Sequence, residues 1–245
     1  MNELETLRNW ITESNNIVFF GGAGCSTESG VPDFRSQDGL YHQQYAYPPE
    51  TILSHTFFVQ NTEEFYRFYQ DKMLPLDAKP NPAHLALAEL ERQGKLKAVV
   101  TQNIDGLHQA AGSKAVFELH GSVHRNYCTK CRKFFDAHYM KAAQGVPRCD
   151  SCGGLIKPDV VLYEEGLDED VMYAAVQAIR AADVLIVGGT SLVVYPAAGL
   201  IRYYGGHKLV LINKDATPYD AHADLVLHDA LGKVLSAAVT DGEGV

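Results

Sequence analysis

Short, largely apolar runs recur along the chain, each followed by a polar or glycine-rich cluster: Ile17–Phe20, Ala98–Thr101, Val116–Leu119, Val184–Val187 and Leu209–Ile212. Apolar runs of this length predict strands buried on both faces, as in parallel sheets. Helical spacing fills several of the gaps. Leu4, Leu7, Trp10 and Ile11 mark a first amphipathic helix. Asn81-Pro82 predicts a helix start, with Asn as cap and Pro at the first helical position, and Gly94 can end that helix. Val171–Ala182 and Pro196–Tyr204 are further helical segments. Strands alternating with helices predict an α/β fold with a doubly wound, parallel (Rossmann-like) sheet.

Two stretches break the alternation. From Tyr41 to about Lys79 the chain is aromatic-rich, with Pro48 and Pro49 adjacent and no clear strand. Thr62 is the expected cap of a helix through Phe65, Phe68 and Tyr69, and the stretch reads as a helical insertion or mobile cover, not a core layer. The second stretch, Tyr127 to Gly154, carries paired cysteines and reads as a small separate module. The expected division is a Rossmann-like domain from 1-40, 81-126 and 155-245, a helical insertion at 41-80, and a cysteine module at 127-154.

Composition narrows the function classes. Of 245 residues 46% are hydrophobic and 21% charged, enough for a packed core and too apolar for disorder. The formal charge of −9 argues against a nucleic-acid partner, which usually calls for a basic surface. No stretch approaches about 20 consecutive apolar residues, so no membrane span is expected. The segment Met1–Trp10 carries Glu3 and Glu5 and lacks a signal peptide's basic start and apolar middle. A cytoplasmic monomer is the expectation.

Four of the five cysteines form Cys128-x-x-Cys131 and Cys149-x-x-Cys152, with 17 residues between the pairs. In a reducing compartment this spacing predicts a tetrahedral zinc site rather than disulfides. Four thiolates leave no coordination position open to water, so the metal is expected to be structural. Zinc ribbons that bind nucleic acid share such knuckles, and that reading competes until the charge is weighed.

The first apolar run leads into GGAGCSTESGVPDFR, residues 21–35. Gly22-Ala23-Gly24 allows a sharp turn whose N–H groups approach a phosphate, Ser26 and Thr27 add hydroxyls, and Arg35 adds a bidentate cation. A plain strand-to-helix turn would not need Asp33, Phe34 and Arg35 presented together. Other strand ends repeat the theme: Thr101-Gln102-Asn103-Ile104-Asp105, Gly188-Gly189-Thr190-Ser191 and Asn213-Lys214-Asp215. In open α/β sheets the ligand crevice lies beyond the carboxyl ends of the strands, so these clusters converge. His120 follows Val116–Leu119 at the same edge and is the leading general-base candidate, with His108 as its rival.

Taken together, GAGCSTESGVPDFR (22–35), TQNIDGLH (101–108), ELHGS (118–122), the paired knuckles, GTSLVVYPAA (189–198) and Asn213 resemble the sirtuins, NAD-dependent protein-lysine deacylases, of the small bacterial type. The motifs stand in the family's order from about residue 17 to 230. The resemblance implies that Gly22, Ala23, Thr27 and Arg35 hold the phosphates and ribose of NAD, with Asp33 and Phe34 beside the nicotinamide ribose. It implies that Asp105 and the backbone of Ile104 bind the carboxamide, while Gln102 and Asn103 hold ribose hydroxyls and an ordered water. Gly188, Thr190, Ser191, Asn213, Lys214 and Asp229 would border the adenosine half. His120 would be the catalytic base, assisted by Asn103. An acetylated protein or peptide would add as a strand between Val161-Leu162-Tyr163 and Val193-Val194-Tyr195. The implied products are deacetylated lysine, nicotinamide and O-acetyl-ADP-ribose. The zinc implied is structural, on Cys128, Cys131, Cys149 and Cys152.

The chain departs from the pattern in two places. Many members have Phe-Gly-Glu where Leu162-Tyr163-Glu164-Glu165 stands here, with Glu164 in the glycine's place. The Tyr-x-x-Arg pair that favours succinyl and malonyl groups in some members is missing from Tyr41–Pro49, so acetyl is the expected acyl group. Cys25 is expected to be a small turn filler with a dispensable thiol. A nicotinamide-dependent oxidoreductase and a transferase of ADP-ribose to protein are the rival readings.

Overall fold

A computed structural model describes residues 2–34, 39 and 45–240. A six-stranded, all-parallel sheet forms its centre. In chain order its strands are β1 (Ile17–Gly21), β2 (Leu96–Thr101), β3 (Val116–Glu118), β7 (Val184–Gly188), β8 (Leu209–Ile212) and β9 (Leu225–Leu227). They lie side by side as β3-β2-β1-β7-β8-β9, so the strand order reverses between β1 and β7. Every residue of β1 is buried, as is every residue of β7. The alternation of side chains assigns Ile17 and Phe19 to one face and Val18 and Phe20 to the other.

On the first face pack α1 (Glu3–Glu13), α5 (Pro82–Arg92) and α9 (Leu231–Thr240), through Leu7, Leu87, Leu90 and Leu235. On the second lies α8 (Glu169–Ala181), with Ala175 and Ile179, and the segment Ala197–Tyr203. Each such buried leucine or phenylalanine contributes about 1.5–3 kcal/mol. The start of α5 is as read: the Asn81 side chain accepts from the N–H groups of Ala83 and His84, and Pro82 follows. Three local expectations change. Asn61, not Thr62, stands at the N-cap of α4 (Thr62–Lys72), and the Thr62 hydroxyl donates back to the Phe58 carbonyl. The Pro196–Tyr204 segment is a tighter 3-10 helix over Ala197–Tyr203. β9 adds a strand to those expected.

The second unit is smaller. β4 (Gly121–Cys128) pairs antiparallel with β5 (Phe134–Phe135) and β6 (Ile156–Val160), so the small sheet reaches beyond residues 127 and 154 on both sides. At its entrance the chain turns so tightly that only glycine fits: Gly121 has φ +76°, and a Cβ there would lie 1.9 Å from the Asp159 carbonyl oxygen. Around the sheet stand α7 (Ala137–Ala142), α2 (Pro49–Ile52), α3 (His55–Gln60) and α4.

The aromatic stretch is a core layer, contrary to the expectation of a cover. Phe57, Phe58, Phe65, Tyr66 and Tyr69 share one apolar cluster with Val123, Cys128, Phe135, Met140 and Ile156. Phe65 stacks on Tyr69 at 5.6 Å, and Phe58 meets Phe65 edge-on at 5.0 Å. The Tyr66 hydroxyl donates to the Ile156 carbonyl, and Gln70 donates to the carbonyls of Met140, Ala143 and Gly145. The helices and the cysteine segment therefore complete each other's interior. Among the described residues no helix is long and apolar enough to cross a membrane.

Candidate active site

The carboxyl ends of β1, β2 and β7 meet where the strand order reverses. After β1, Gly22 enters a loop of two 3-10 turns, Ala23–Cys25 and Thr27–Ser29. Gly24 N–H donates to the Gly189 carbonyl at 2.8 Å, which fastens this loop to the one after β7. Gly22 must lack a side chain, because a Cβ would lie 2.9 Å from Cβ of Thr190. A backbone this close, with no side chain in the way, suits a pyrophosphate approaching the loop.

Hydrogen bonds run across these three strand ends and on to that of β8. Gln102 donates from Nε2 to the Thr190 hydroxyl at 3.1 Å, and Thr190 N–H donates to Oδ1 of Asn213 at 3.0 Å. The Ser26 hydroxyl donates to Oδ2 of Asp105 at 2.7 Å and accepts from Nδ2 of Asn103 at 2.9 Å. The other Asp105 oxygen accepts from the Leu107 N–H at 2.9 Å. Asn103, Ser26 and Asp105 thus form a chain of hydrogen bonds beside the loop that ends on a carboxylate. Ser26 was read as a phosphate-side hydroxyl; its tie to Asp105 spans 79 residues and has no local sequence signal.

His120 lies at the end of β3, partly shielded. Its Nδ1 is 2.9 Å from the Gln102 carbonyl oxygen, so Nδ1 carries the proton and Nε2 keeps its lone pair. Burial lowers its pKa below the usual histidine value, partly offset by the bond to that carbonyl. The ring is neutral at pH 7, with a basic nitrogen to offer. His108 has a different setting: it is buried, pushed down to about 3 by burial and then by nearby His84, and unsuited to take a proton.

Other predicted residues take these places. Ala23, Thr27, Ile104 and Asp33 are partly buried around the loop, and the Thr27 hydroxyl donates to the Gly24 carbonyl. Phe34 packs against the aromatic cluster. Gly188 closes β7 in the buried sheet, while Ser191 and Lys214 are exposed. Asp229 stands before α9 and accepts from the Ala230 N–H at 2.8 Å. Arg35 lies outside the described residues.

On the proposed peptide side, Val193 and Tyr195 are 47% and 57% exposed, and Tyr163 is 39% exposed. Val194 is partly buried, its carbonyl accepting from Ala198 N–H, and Leu162 is buried. Val161 N–H donates to the His120 carbonyl, joining this segment directly to His120. Tyr163 already pairs with the small unit: its N–H donates to the Leu53 carbonyl and its carbonyl accepts from His55 N–H, both at 2.9 Å. Glu164, in the place of a glycine, holds the left-handed conformation a glycine would favour, φ +75°. Its carboxylate accepts from Thr56 N–H at 2.9 Å.

The four cysteines converge. Sγ of Cys128 is 3.4 Å from Sγ of Cys152, Sγ of Cys131 is 3.6 Å from that of Cys149, and all four lie within 4.8 Å of one another. A tetrahedron with metal–sulfur bonds of about 2.3 Å has sulfur–sulfur edges of roughly 3.8 Å, so the set fits zinc. N–H groups of Cys131 and Lys130 aimed at Cys128 lower the pKa of its thiol, while sharing a proton with Cys128 raises that of Cys152.

Comparison with known proteins agrees with this geometry. The model of the Sir2 family matches residues 22–196. An NAD-dependent protein deacetylase of Clostridium acetobutylicum is 62% identical over 242 residues, covering 98% of this chain and 99% of that protein. One of Staphylococcus aureus is 46% identical, with the same coverage. Among solved structures, a histidine-to-alanine Sir2 variant with deacetylated p53 peptide and 3′-O-acetyl ADP-ribose superposes with a TM-score of 0.90, at 40% identity over 98% of this chain and 99% of that one. A Sir2–p53 peptide–NAD+ complex gives 0.85 at 41% identity, covering 99% of each. With the fold, the ordered motifs and full-length relatives in agreement, the chain belongs to the Sir2 family.

Proposed function

We propose that this enzyme is an NAD-dependent protein-lysine deacetylase that transfers the acetyl group of acetyl-lysine to ADP-ribose, releasing nicotinamide and O-acetyl-ADP-ribose. The observation that carries the reading is the state of His120, whose Nδ1–H is held by a carbonyl at the strand-end crevice while Nε2 stays free to accept a proton.

Bound NAD supplies a ribose C1′ that becomes electrophilic as nicotinamide departs. The chain's own residues do the rest. Gly22, Ala23, Thr27 and Arg35 hold phosphate and ribose. Asp105 and Ile104 receive the carboxamide, with Ser26 and Leu107 N–H fixing the Asp105 carboxylate. Phe34 and Asp33 cover the reacting end. Gln102 and Asn103 hold ribose hydroxyls, and His120 Nε2 accepts the proton of one of them. Thr190, Ser191, Asn213, Lys214 and Asp229 flank the adenosine, next to Gly188. The acetylated peptide lies between Val161–Tyr163 and Val193–Tyr195, where exposed apolar side chains support docking. Cys128, Cys131, Cys149 and Cys152 hold zinc for structure. The reading includes a cytoplasmic monomer with no nucleic-acid or membrane partner. It keeps the three-part division, with the helical insertion and the cysteine module sharing a core.

Mass spectrometry of acetyl-, succinyl- and long-chain acyl-lysine peptides incubated with NAD tests the proposal. The acetyl-peptide is expected to lose its acetyl group with matching release of nicotinamide and O-acetyl-ADP-ribose. Nicotinamide release that ignores the peptide, or ADP-ribose retained on the peptide, overturns it.

A further inference from the structure

Beneath the glycine loop three side chains meet that the reaction, as read above, does not use. Cys25 comes from the loop, His84 from the first turn of α5, and His108 from α6 (Leu107–Ala111). All three are buried, and one ligand atom from each lies within 4.8 Å of the other two. Sγ of Cys25 is 3.9 Å from Nε2 of His84, and the His84 and His108 rings meet edge to face at 4.7 Å. His108 is 1% exposed, and neither of its ring nitrogens has a hydrogen-bond partner. A buried imidazole with two unsatisfied nitrogens is costly, and metal binding at one of them is a chemical remedy.

We propose that Cys25, His84 and His108 form a second metal site, selective for a soft monovalent ion of the Cu(I) type, and that occupancy silences the enzyme. One thiolate and two neutral imidazoles match the preferences of Cu(I). Zinc would call for a fourth ligand, and the triad offers three. Charge points the same way: the thiol releases its proton to solvent, a sulfur–copper bond forms, and thiolate plus Cu(I) leaves no net charge in the interior. A divalent ion would leave one positive charge on the triad itself, offset only by the carboxylates of Asp105 and Glu28 outside it. No electron is transferred. His84 meets one opposing demand. Its Nδ1 accepts from Asn81 N–H at 3.2 Å, so ligation through Nε2 moves the ring proton to Nδ1 and breaks that long bond.

Silencing follows from the position and rests on the NAD reading. Cys25 lies between Gly24, bonded to Gly189, and Ser26, bonded to Asp105. The Cys25 carbonyl also accepts from Nδ2 of Asn81 at 2.8 Å. An ion drawing Sγ toward the two imidazoles moves both neighbours.

The test uses zinc-loaded full-length enzyme under anaerobic, reducing conditions, titrated with Cu(I) buffered by bathocuproine disulfonate. The wild type is expected to take up copper without losing zinc, with a copper absorption edge fitted by one sulfur and two nitrogen neighbours. Cys25→Ala is expected to lose this uptake while retaining its uninhibited turnover. Cu(I) should lower wild-type deacetylation about tenfold or more and leave Cys25→Ala nearly unchanged. His108→Phe, read by copper uptake alone, guards against a folding defect in the first variant. Equal copper uptake by all three proteins, or zinc release with an all-sulfur copper environment, overturns the site. Copper uptake at the triad with unchanged turnover overturns the silencing alone; absence of deacetylation in copper-free enzyme overturns the catalytic reading and leaves the metal measurement standing.

Discussion

The two halves of this molecule solve the packing problem differently. The large sheet buries continuous apolar strands and covers each face with helices, so its interior follows from local periodicity. The small unit has three short strands, too few to enclose a core of their own. It borrows aromatic rings from two helices far away in the chain, α3 and α4, and adds a cysteine cluster. One half is stable because of its sequence pattern, the other because distant pieces and a metal agree. His120 sits between them, at the end of β3 and one residue before the glycine that opens β4.

The largest test of the contrast removes the metal. Chelation, or Cys149→Ala, should unfold the small unit while the parallel sheet keeps its protection, since structural zinc contributes about 10 kcal/mol or more to folding. Hydrogen exchange reads both halves in one experiment; protection lost evenly across both would erase the distinction. His120→Ala comes next. It should lower turnover by about a hundredfold to ten-thousandfold and leave NAD affinity and both cores intact, as followed by calorimetry and kcat. Near-normal turnover would remove His120 from its role.

A third test concerns pH on the large half. Burial pushes His108 down to about 3, against an unfolded value near 6.5. The unfolded chain therefore takes up the proton first. Stability is complete above about pH 6.5 and is lost as pH falls toward 3, by about 2 kcal/mol on reaching pH 5. Denaturation of wild type and His108→Phe at a series of pH values should show a slope that the variant flattens. His120 also shifts downward, so the acid limb of kcat/KM should lie below the ordinary histidine range.

The smallest effect belongs to the joint between the halves. Glu164→Gly relieves a left-handed backbone worth about 1 kcal/mol and loses the bond to Thr56 N–H, so its stability should change by less than about 1 kcal/mol. Glu164→Ala keeps the strain and loses the bond, and thermal denaturation should rank it below the glycine variant.

How much of this was legible in the sequence follows from the same contrast. The strands of the sheet, the Asn81-Pro82 start, the glycine loop and the paired knuckles carry their signals within a few residues. What escaped depends on partners far apart in the chain. The cluster of Phe65 with Met140, the pairing of Tyr163 with Leu53 and the bond from Ser26 to Asp105 have no local period. β9 escaped for another reason: Leu225–Leu227 is enclosed by Asp224 and by His228-Asp229, with no flanking apolar residue to extend the run. Thr62 misled because a hydroxyl near a helix start can turn backward to a carbonyl instead of forward to an N–H.

The partner that orients His120 is a main-chain carbonyl, where many catalytic histidines rely on a carboxylate side chain. A carboxylate can be deleted by one codon change; a carbonyl is present whichever residue is encoded. The tautomer of His120 is therefore insulated from substitution at position 102. Replacing Gln102 would cut its link to Thr190 and leave the proton on Nδ1. In mutational terms, the orientation of His120 is inherited from the fold, and only changes that displace the backbone can take it away.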